Sequence, residues 1–201
     1  MEGLQQTQTY EKAFQKYVTL FSLTEKDLYR TILDIGSGKG DFVKYLREVL
    51  GNKNAYGLEN DPYKFEPDSD GIFVGDGLNL SFADDTFELI TAKNYFPMFL
   101  ADNGKIDRAI TELIRVLKPG GRIVGDISTV QNEENNKMSF AKQSNTETGE
   151  KTLSWFTKRQ EGAKHLMQTL EQLKRNGCVV TINESTDNET ILTIEKPAKT
   201  N

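Results

Sequence analysis

Thr31-Ile32-Leu33-Asp34-Ile35-Gly36-Ser37-Gly38-Lys39-Gly40-Asp41 joins a short β-forming run to three alternating glycines. A helix pattern follows at once, with Phe42, Val43, Leu46, Val49 and Leu50 on one face. Strand, glycine turn and helix make the first unit of a nucleotide-binding α/β sheet. Glycines let the backbone turn tightly and let a ligand approach where a Cβ would block it. The helix start behind them offers free N–H groups.

Two common readings of such a loop fail on residues. A phosphate-binding P-loop needs G-x-x-x-x-G-K-[S/T]. Here Gly38-Lys39 is followed by Gly40, and Leu33 stands where the first glycine belongs. A dinucleotide fingerprint needs G-x-G-x-x-G. Its third glycine is replaced by Asp41, a carboxylate aimed at the pyrophosphate position. What remains is an acid, Asp34, followed by G-x-G-x-G at Gly36, Gly38 and Gly40.

Composition narrows the function classes. A chain of 201 residues suits one domain with a substantial core. The net charge of −5 argues against non-specific binding to nucleic acid or anionic membrane, which needs a basic face. Cys178 is the sole cysteine, so no internal disulfide can form, and a reducing, cytoplasmic setting is expected. The first residues, Met1 to Gln6, lack a basic and apolar leader pattern. No apolar run reaches membrane-spanning length, and no Cys/His cluster suggests a metal.

Along the chain, Tyr10, Phe14, Tyr17, Val18 and Phe21 form an aromatic stripe at helical spacing within 1–30. The stripe suits packing on a sheet edge or a cap over a pocket. A second strand, Lys53 to Leu58, leads to Glu59-Asn60-Asp61-Pro62. Glu59 lies about twenty positions past Gly36, where doubly wound sheets place a ribose-binding carboxylate. Pro62 and Pro67 break the second crossover. A brief third strand, 71–74, ends in Gly75-Asp76-Gly77, with Leu78, Leu80 and Phe82 beyond. Strand four is expected over Phe87 to Ala92, with Lys93-Asn94-Tyr95-Phe96-Pro97 at its carboxyl end. Lys105 to Leu117 is an amphipathic helix stopped by Lys118-Pro119-Gly120-Gly121, and Arg122 opens strand five. Polar residues dominate 128–152, which read as a surface loop or lid. A last helix over 153–176 and a hairpin, Cys178 to Ile182 with Thr190 to Ile194, close the chain.

The acid-GxGxG turn resembles motif I of the class I S-adenosylmethionine-dependent methyltransferases. So do Ser81-Phe82-Ala83-Asp84-Asp85-Thr86-Phe87-Glu88-Leu89-Ile90 and Arg115-Val116-Leu117-Lys118-Pro119-Gly120-Gly121-Arg122 resemble later segments of that family. The likeness covers 31 to about 127, and loosely the rest to about 195. It implies a Rossmann-like α/β fold: a mostly parallel seven-stranded sheet, helices on both faces, and a C-terminal hairpin putting one antiparallel strand at an edge. It implies a single domain: a cap over 1–30, a cofactor core over 31–127, a polar lid over 128–152, then a helix and hairpin over 153–195.

The implied cofactor is S-adenosylmethionine, with S-adenosylhomocysteine as product. The implied binding set is Asp34, Gly36, Ser37, Gly38, Gly40, Glu59, Asn60, Asp76, Gly77, Leu78 and Lys93. Within it, Glu59 takes the ribose and Asp76 the adenine amino group, with the Gly77 N–H beside the ring. Tyr10, Phe14, Tyr17, Tyr95 and Phe96 are placed to enclose the methyl group. A sulfonium is an activated donor, so holding it in line with a nucleophile supplies most of the effect, and no general base stands out. His165 lies on the last helix, away from these motifs. An Asn-Pro-Pro-Tyr tetrad is absent at 93–96, which favours a small-molecule acceptor over DNA. Two other classes fit the residues less well: a non-catalytic binding module of the same fold, and a nicotinamide-dependent oxidoreductase, disfavoured by Asp41.

Overall fold

The computed structural model describes residues 2–64, 69–127, 147–185 and 189–199. The order of elements is α1 (Glu2–Phe21), α2 (Glu25–Leu28), β1 (Ile32–Ile35), α3 (Asp41–Lys44) running into a wider turn (Tyr45–Val49), β2 (Ala55–Glu59) and β3 (Ile72–Val74). Then come β4 (Phe87–Ala92), a short 3-10 turn (Phe96–Phe99), α4 (Asn103–Val116), β5 (Leu117–Asp126), α5 (Glu147–Arg175), β6 (Val179–Glu184) and β7 (Thr190–Glu195). The strands form one sheet in the order β3-β2-β1-β4-β5-β7-β6. The first five run parallel, and β7 is antiparallel to both its neighbours. This is the expected mostly parallel, seven-stranded α/β sheet. One detail is corrected: the antiparallel β7 is interior, and β6 holds the edge.

Both faces of the central strands are covered, so β1 is buried throughout. Alternation sorts its side chains. Leu33 and Ile35 pack with Ile90, Ile110, Leu113, Leu166 and Leu170 under α4 and α5. Ile32 faces the other way, with Leu89 and Val124, toward Phe14, Phe42 and Leu46. The aromatic stripe of α1 thus lies on a sheet face, against α3. Phe14 stacks on Tyr45 and Tyr17 on Phe42, each pair at 4.3 Å between ring centres.

The helix after the glycines departs from its pattern. Leu50 N–H reaches back five residues to Tyr45 C=O, so the last turn is π-helical. The extra residue rotates Val49 out of the stripe, leaving it 47 % exposed. Arg47 turns inward instead. Its Nη1 donates to the carbonyls of Lys53 and Ala55 at 2.5 and 2.8 Å, and it pairs with Asp70. No helix occurs in the described part of 61–70. Arg115 on α4 donates to the carbonyls of Leu80 and Phe82, each at 2.8 Å, and pins that segment to the helix.

Asp102 caps α4 by accepting the Lys105 N–H. The Lys118–Gly121 stop ends the helix but already belongs to β5, which starts at Leu117 rather than Arg122. The register shifts there, from Phe87 opposite Leu117 to Leu89 opposite Arg122. The expected lid over 128–152 lies outside the described residues as far as 146, and from Glu147 the chain is already helical.

α5 seats on the 3-10 turn through a close contact. A Cβ at Gly162 would lie 1.8 Å from the Leu100 carbonyl oxygen. Arg159 donates from the same helix to Pro97 C=O at 3.0 Å. Gly→Ala within a helix ordinarily stabilises by about 1 kcal/mol. Here Gly162→Ala is expected to destabilise by about 1–3 kcal/mol, because backbone must separate to admit the methyl group. Urea unfolding measures it.

Candidate functional site

The glycine turn is built on positive φ angles, +71° at Gly36, +58° at Gly38 and +74° at Gly40, which side chains with a Cβ rarely adopt. Gly36 and Ser37 N–H both donate to Leu58 C=O, at 2.8 and 3.1 Å, laying the turn across the end of β2. Gly38 N–H donates to Glu59 Oε2 at 2.9 Å. The turn and the β2 acid are therefore one unit.

A cavity of about 430 Å³ opens above it, at the carboxyl ends of β1, β2 and β4. The chain reverses its direction of sheet growth between β1 and β4, the place where open α/β folds bind ligands. Gly36, Gly38, Glu59, Asn60, Asp76, Gly77, Leu78 and Lys93 all line this cavity. Eight of the residues named from sequence are thus brought together from four separate segments.

Glu59 is 4 % exposed, and its Oε1 accepts from the Asn60 and Asp61 N–H groups at 3.0 and 3.1 Å. The Lys64 ammonium also reaches Oε1, at 3.1 Å. Asp76 is exposed, and its Oδ1 accepts the Leu78 N–H at 2.8 Å. That bond folds the chain after β3 into a tight turn. The Tyr95 hydroxyl donates to Gly77 C=O at 2.9 Å and fixes the turn from across the cavity. Burial pushes the Tyr95 hydroxyl well above its ordinary pKa, with the Asp76 and Glu112 charges adding to it. It stays a neutral donor.

The remaining three named residues do not line the cavity. Asp34 alternates with Ile35 and so points to the α1 face. It is 1 % exposed, accepting from Thr91 Oγ1 at 2.7 Å and from the Tyr17 hydroxyl at 3.3 Å. Ser37 turns beneath the loop, where a Cβ at Gly57 would come within 2.8 Å of its Oγ. Gly40 faces Ile72, with no room for a Cβ between them. These three shape the loop from below. Tyr10, Phe14, Tyr17 and Phe96 likewise pack inside and do not line the cavity. Tyr95 alone of the expected aromatic enclosure lines it, joined by Met98 and Phe99. Helical spacing showed that an aromatic stripe exists but not which neighbour it meets.

Burial raises the Asp34 pKa to about 7, against the lowering effect of the Thr91 and Tyr17 hydrogen bonds and the Lys93 ammonium. The folded state therefore holds this proton where the unfolded chain, near its ordinary 3.8, releases it. The contribution of Asp34 to stability is complete below about 4 and is lost as pH rises to about 7. Unfolding free energy measured over that window should fall more steeply in the wild type than in Asp34→Asn.

Sequence reasoning missed a second arrangement. Asn94, just past β4, has φ +56°, unusual for a residue with a side chain. Its backbone N–H donates to the carboxylate of Asp126, buried at the end of β5. With its amide turned to satisfy both neighbours, Asn94 Nδ2 donates to Asp126 at 3.2 Å and its oxygen accepts from Lys93 Nζ at 3.0 Å. Asn94, held by Asp126, orients the Lys93 ammonium at the cavity. His165 lies elsewhere, paired with Asp107 at 2.9 Å between α5 and α4. Cys178 is buried, and burial pushes its thiol up. Among the described residues no group of three or more potential ligands could hold a metal ion, and no helix is long and apolar enough to cross a membrane.

Residues 33–125 match a family described as a methyltransferase domain. The malonyl-[acyl-carrier protein] O-methyltransferase of Methylococcus capsulatus is 35 % identical over 100 residues, 46 % of this chain and 35 % of that protein. The demethylmenaquinone methyltransferase of Thermobifida fusca is 43 % identical over 53 residues, 26 % of this chain and 21 % of that protein. The chain thus spans about a third or less of the length of these relatives.

Among solved structures, the PH0226 protein of Pyrococcus horikoshii superposes with a TM-score of 0.58 at 16 % identity, covering 98 % of this chain and 92 % of that one. A SAM-dependent methyltransferase of Aquifex aeolicus gives 0.53 at 15 % identity, with 94 % and 97 % covered. The plantazolicin methyltransferase BpumL, solved with SAH, gives 0.55 at 13 % identity, with 96 % and 84 % covered. These likenesses show the fold, and the family match falls on the segment that carries the glycine turn, Glu59, Asp76 and Lys93. Residues 33–125 of this chain match a methyltransferase domain, and the described chain has the fold of the class I methyltransferases.

Proposed function

We propose that the protein transfers the methyl group of S-adenosylmethionine to a small acceptor molecule. One observation carries the reading: the Gly38 turn and the Glu59 carboxylate are bonded to each other at the floor of one cavity. The donor set fits this cofactor. A Cβ at Gly38 would meet no atom within 4 Å, so the turn leaves open space on its cavity side. Glu59 offers acceptor positions for ribose hydroxyls and would repel a 2′-phosphate. Leu78 supplies an apolar face and Asp76 an acceptor for the adenine end. Lys93, held by Asn94 and Asp126, supplies a cation for the carboxylate of the methionine end.

When bound, the sulfonium supplies an electrophilic methyl group. The protein holds the cofactor by its two ends, fixes the turn through Glu59, and excludes water with Tyr95, Met98 and Phe99. Proximity and orientation are the main source of rate. No residue lining the cavity is a histidine, which suits an acceptor whose nucleophilic atom needs little help losing a proton. The two curated relatives name different acceptors, so neither is carried over. The net charge of −5 disfavours non-specific nucleic-acid binding.

Isothermal calorimetry with S-adenosylhomocysteine tests the reading. Saturable binding is expected. Absence of both heat and a thermal shift at millimolar ligand overturns it, and a preference for nicotinamide dinucleotides would replace it.

A further inference from the structure

The two oxygens of Glu59 carry unequal loads. Among the described residues, Oε1 accepts three donors, from Asn60, Asp61 and Lys64, whereas Oε2 accepts only the Gly38 N–H. A carboxylate offers about two acceptor positions on each oxygen. Three of the four donors are backbone groups set by the end of β2 and the glycine turn, so they stay. Lys64 is different: its side chain is 50 % exposed, while that of Glu59 is 4 % exposed. Both line the cavity.

A ribose brings two adjacent hydroxyls. Oε2 has one position left, and a second hydroxyl gains Oε1 only where an existing donor gives way. We propose that Lys64 is a displaceable plug on the ribose site. It neutralises the buried Glu59 while the site lacks cofactor, and it swings out when the ribose arrives. This rests on the methyltransferase reading above and adds a residue that lowers, rather than raises, cofactor affinity. The ammonium is already half in water, and when it leaves the Glu59 carboxylate keeps its three backbone donors, which lowers the cost of the exchange.

The test compares wild type, Lys64→Met and Lys64→Arg by calorimetry with two ligands, S-adenosylhomocysteine and 5′-methylthioadenosine. Both carry the ribose, neither carries the sulfonium, and only the first carries the amino-acid end. Lys64→Met is expected to bind both ligands about two- to fivefold more tightly, the range of an exposed ion pair that need not be broken. Lys64→Arg keeps the plug and should show no gain. Added salt should tighten wild-type binding by screening the pair, and not do so in Lys64→Met. Unchanged or weaker binding in Lys64→Met, or a gain for one ligand alone, overturns the plug while leaving the cofactor assignment standing. Failure of the wild type to bind either ligand overturns both.

Discussion

Glu59→Ala should weaken S-adenosylhomocysteine binding by about 3 kcal/mol, roughly a hundredfold, the sum expected for one or two charge-assisted hydrogen bonds. The structure makes the loss larger than a ribose contact alone would give. Glu59 Oε2 anchors the Gly38 N–H, so removing the carboxylate also frees the glycine turn proposed to meet the methionine end. Three backbone N–H groups, of Gly38, Asn60 and Asp61, lose their acceptor at the same time.

Glu59→Gln should recover little. One of its terminal atoms becomes a donor and must face an N–H group whichever way the amide turns. Asp76→Ala serves as the mild comparison, since Asp76 is exposed and holds its own turn through the Leu78 N–H. Calorimetry on the three variants should rank the two Glu59 changes first, with Asp76→Ala well behind. Equal losses at both sites would show that the Glu59 anchor contributes nothing of its own.

The sequence carried much of this arrangement because local chemistry decided it. Alternating glycines can be read as a turn wherever they follow a strand. An acid about twenty residues on falls at the end of the next parallel strand by simple counting of strand, helix and strand. What escaped depended on which way a side chain faces. Asp34 sits between Leu33 and Ile35, so its own alternation turns it away from the cavity and toward Tyr17. That signal was present, and the resemblance of the whole motif outweighed it.

The π-turn at Tyr45–Val49 had no such signal, since a hydrophobic stripe at helical spacing looks the same with or without an inserted residue. Nothing along the chain sets Arg47 and Arg115 apart from solvated arginines. Each is instead held by main-chain carbonyls from other segments, which only the tertiary packing brings within reach. The position of β7 inside the sheet was equally hidden. A hairpin's two strands pair with each other in either order, and only the fit against β5 selects which one lies inside.

Gly40→Ala should cost about 2–5 kcal/mol of stability, the sum of backbone strain and overpacking, whereas Gly38→Ala should strike binding. The two glycines look alike in sequence, and both have left-handed backbone, with φ of +74° and +58°. Each alanine therefore carries about 1–2 kcal/mol of conformational strain. Their surroundings separate them. A Cβ at Gly40 would stand 1.9 Å from Ile72 Cδ1 and 3.0 Å from Ile72 Cγ1. Ile72 is 7 % exposed and packs with Leu46 and Ala55 in the core beneath the turn, so it has little room to rotate away. Overpacking of about 1–3 kcal/mol is added to the strain.

A Cβ at Gly38 meets nothing within 4 Å, at a glycine that lines the cavity. Urea unfolding and S-adenosylhomocysteine calorimetry on both variants should therefore give opposite patterns. Gly40→Ala would be the less stable protein, with binding impaired only as far as the fold is. Gly38→Ala would lose no more stability than the backbone strain, and its affinity would fall. The Gly40 clash has its own check in Ile72→Val, which deletes the Cδ1 atom nearest the new methyl group. Gly40→Ala/Ile72→Val should be less destabilised than the two single changes added together. Strict additivity would place the whole cost in the backbone angle and remove Ile72 from the account.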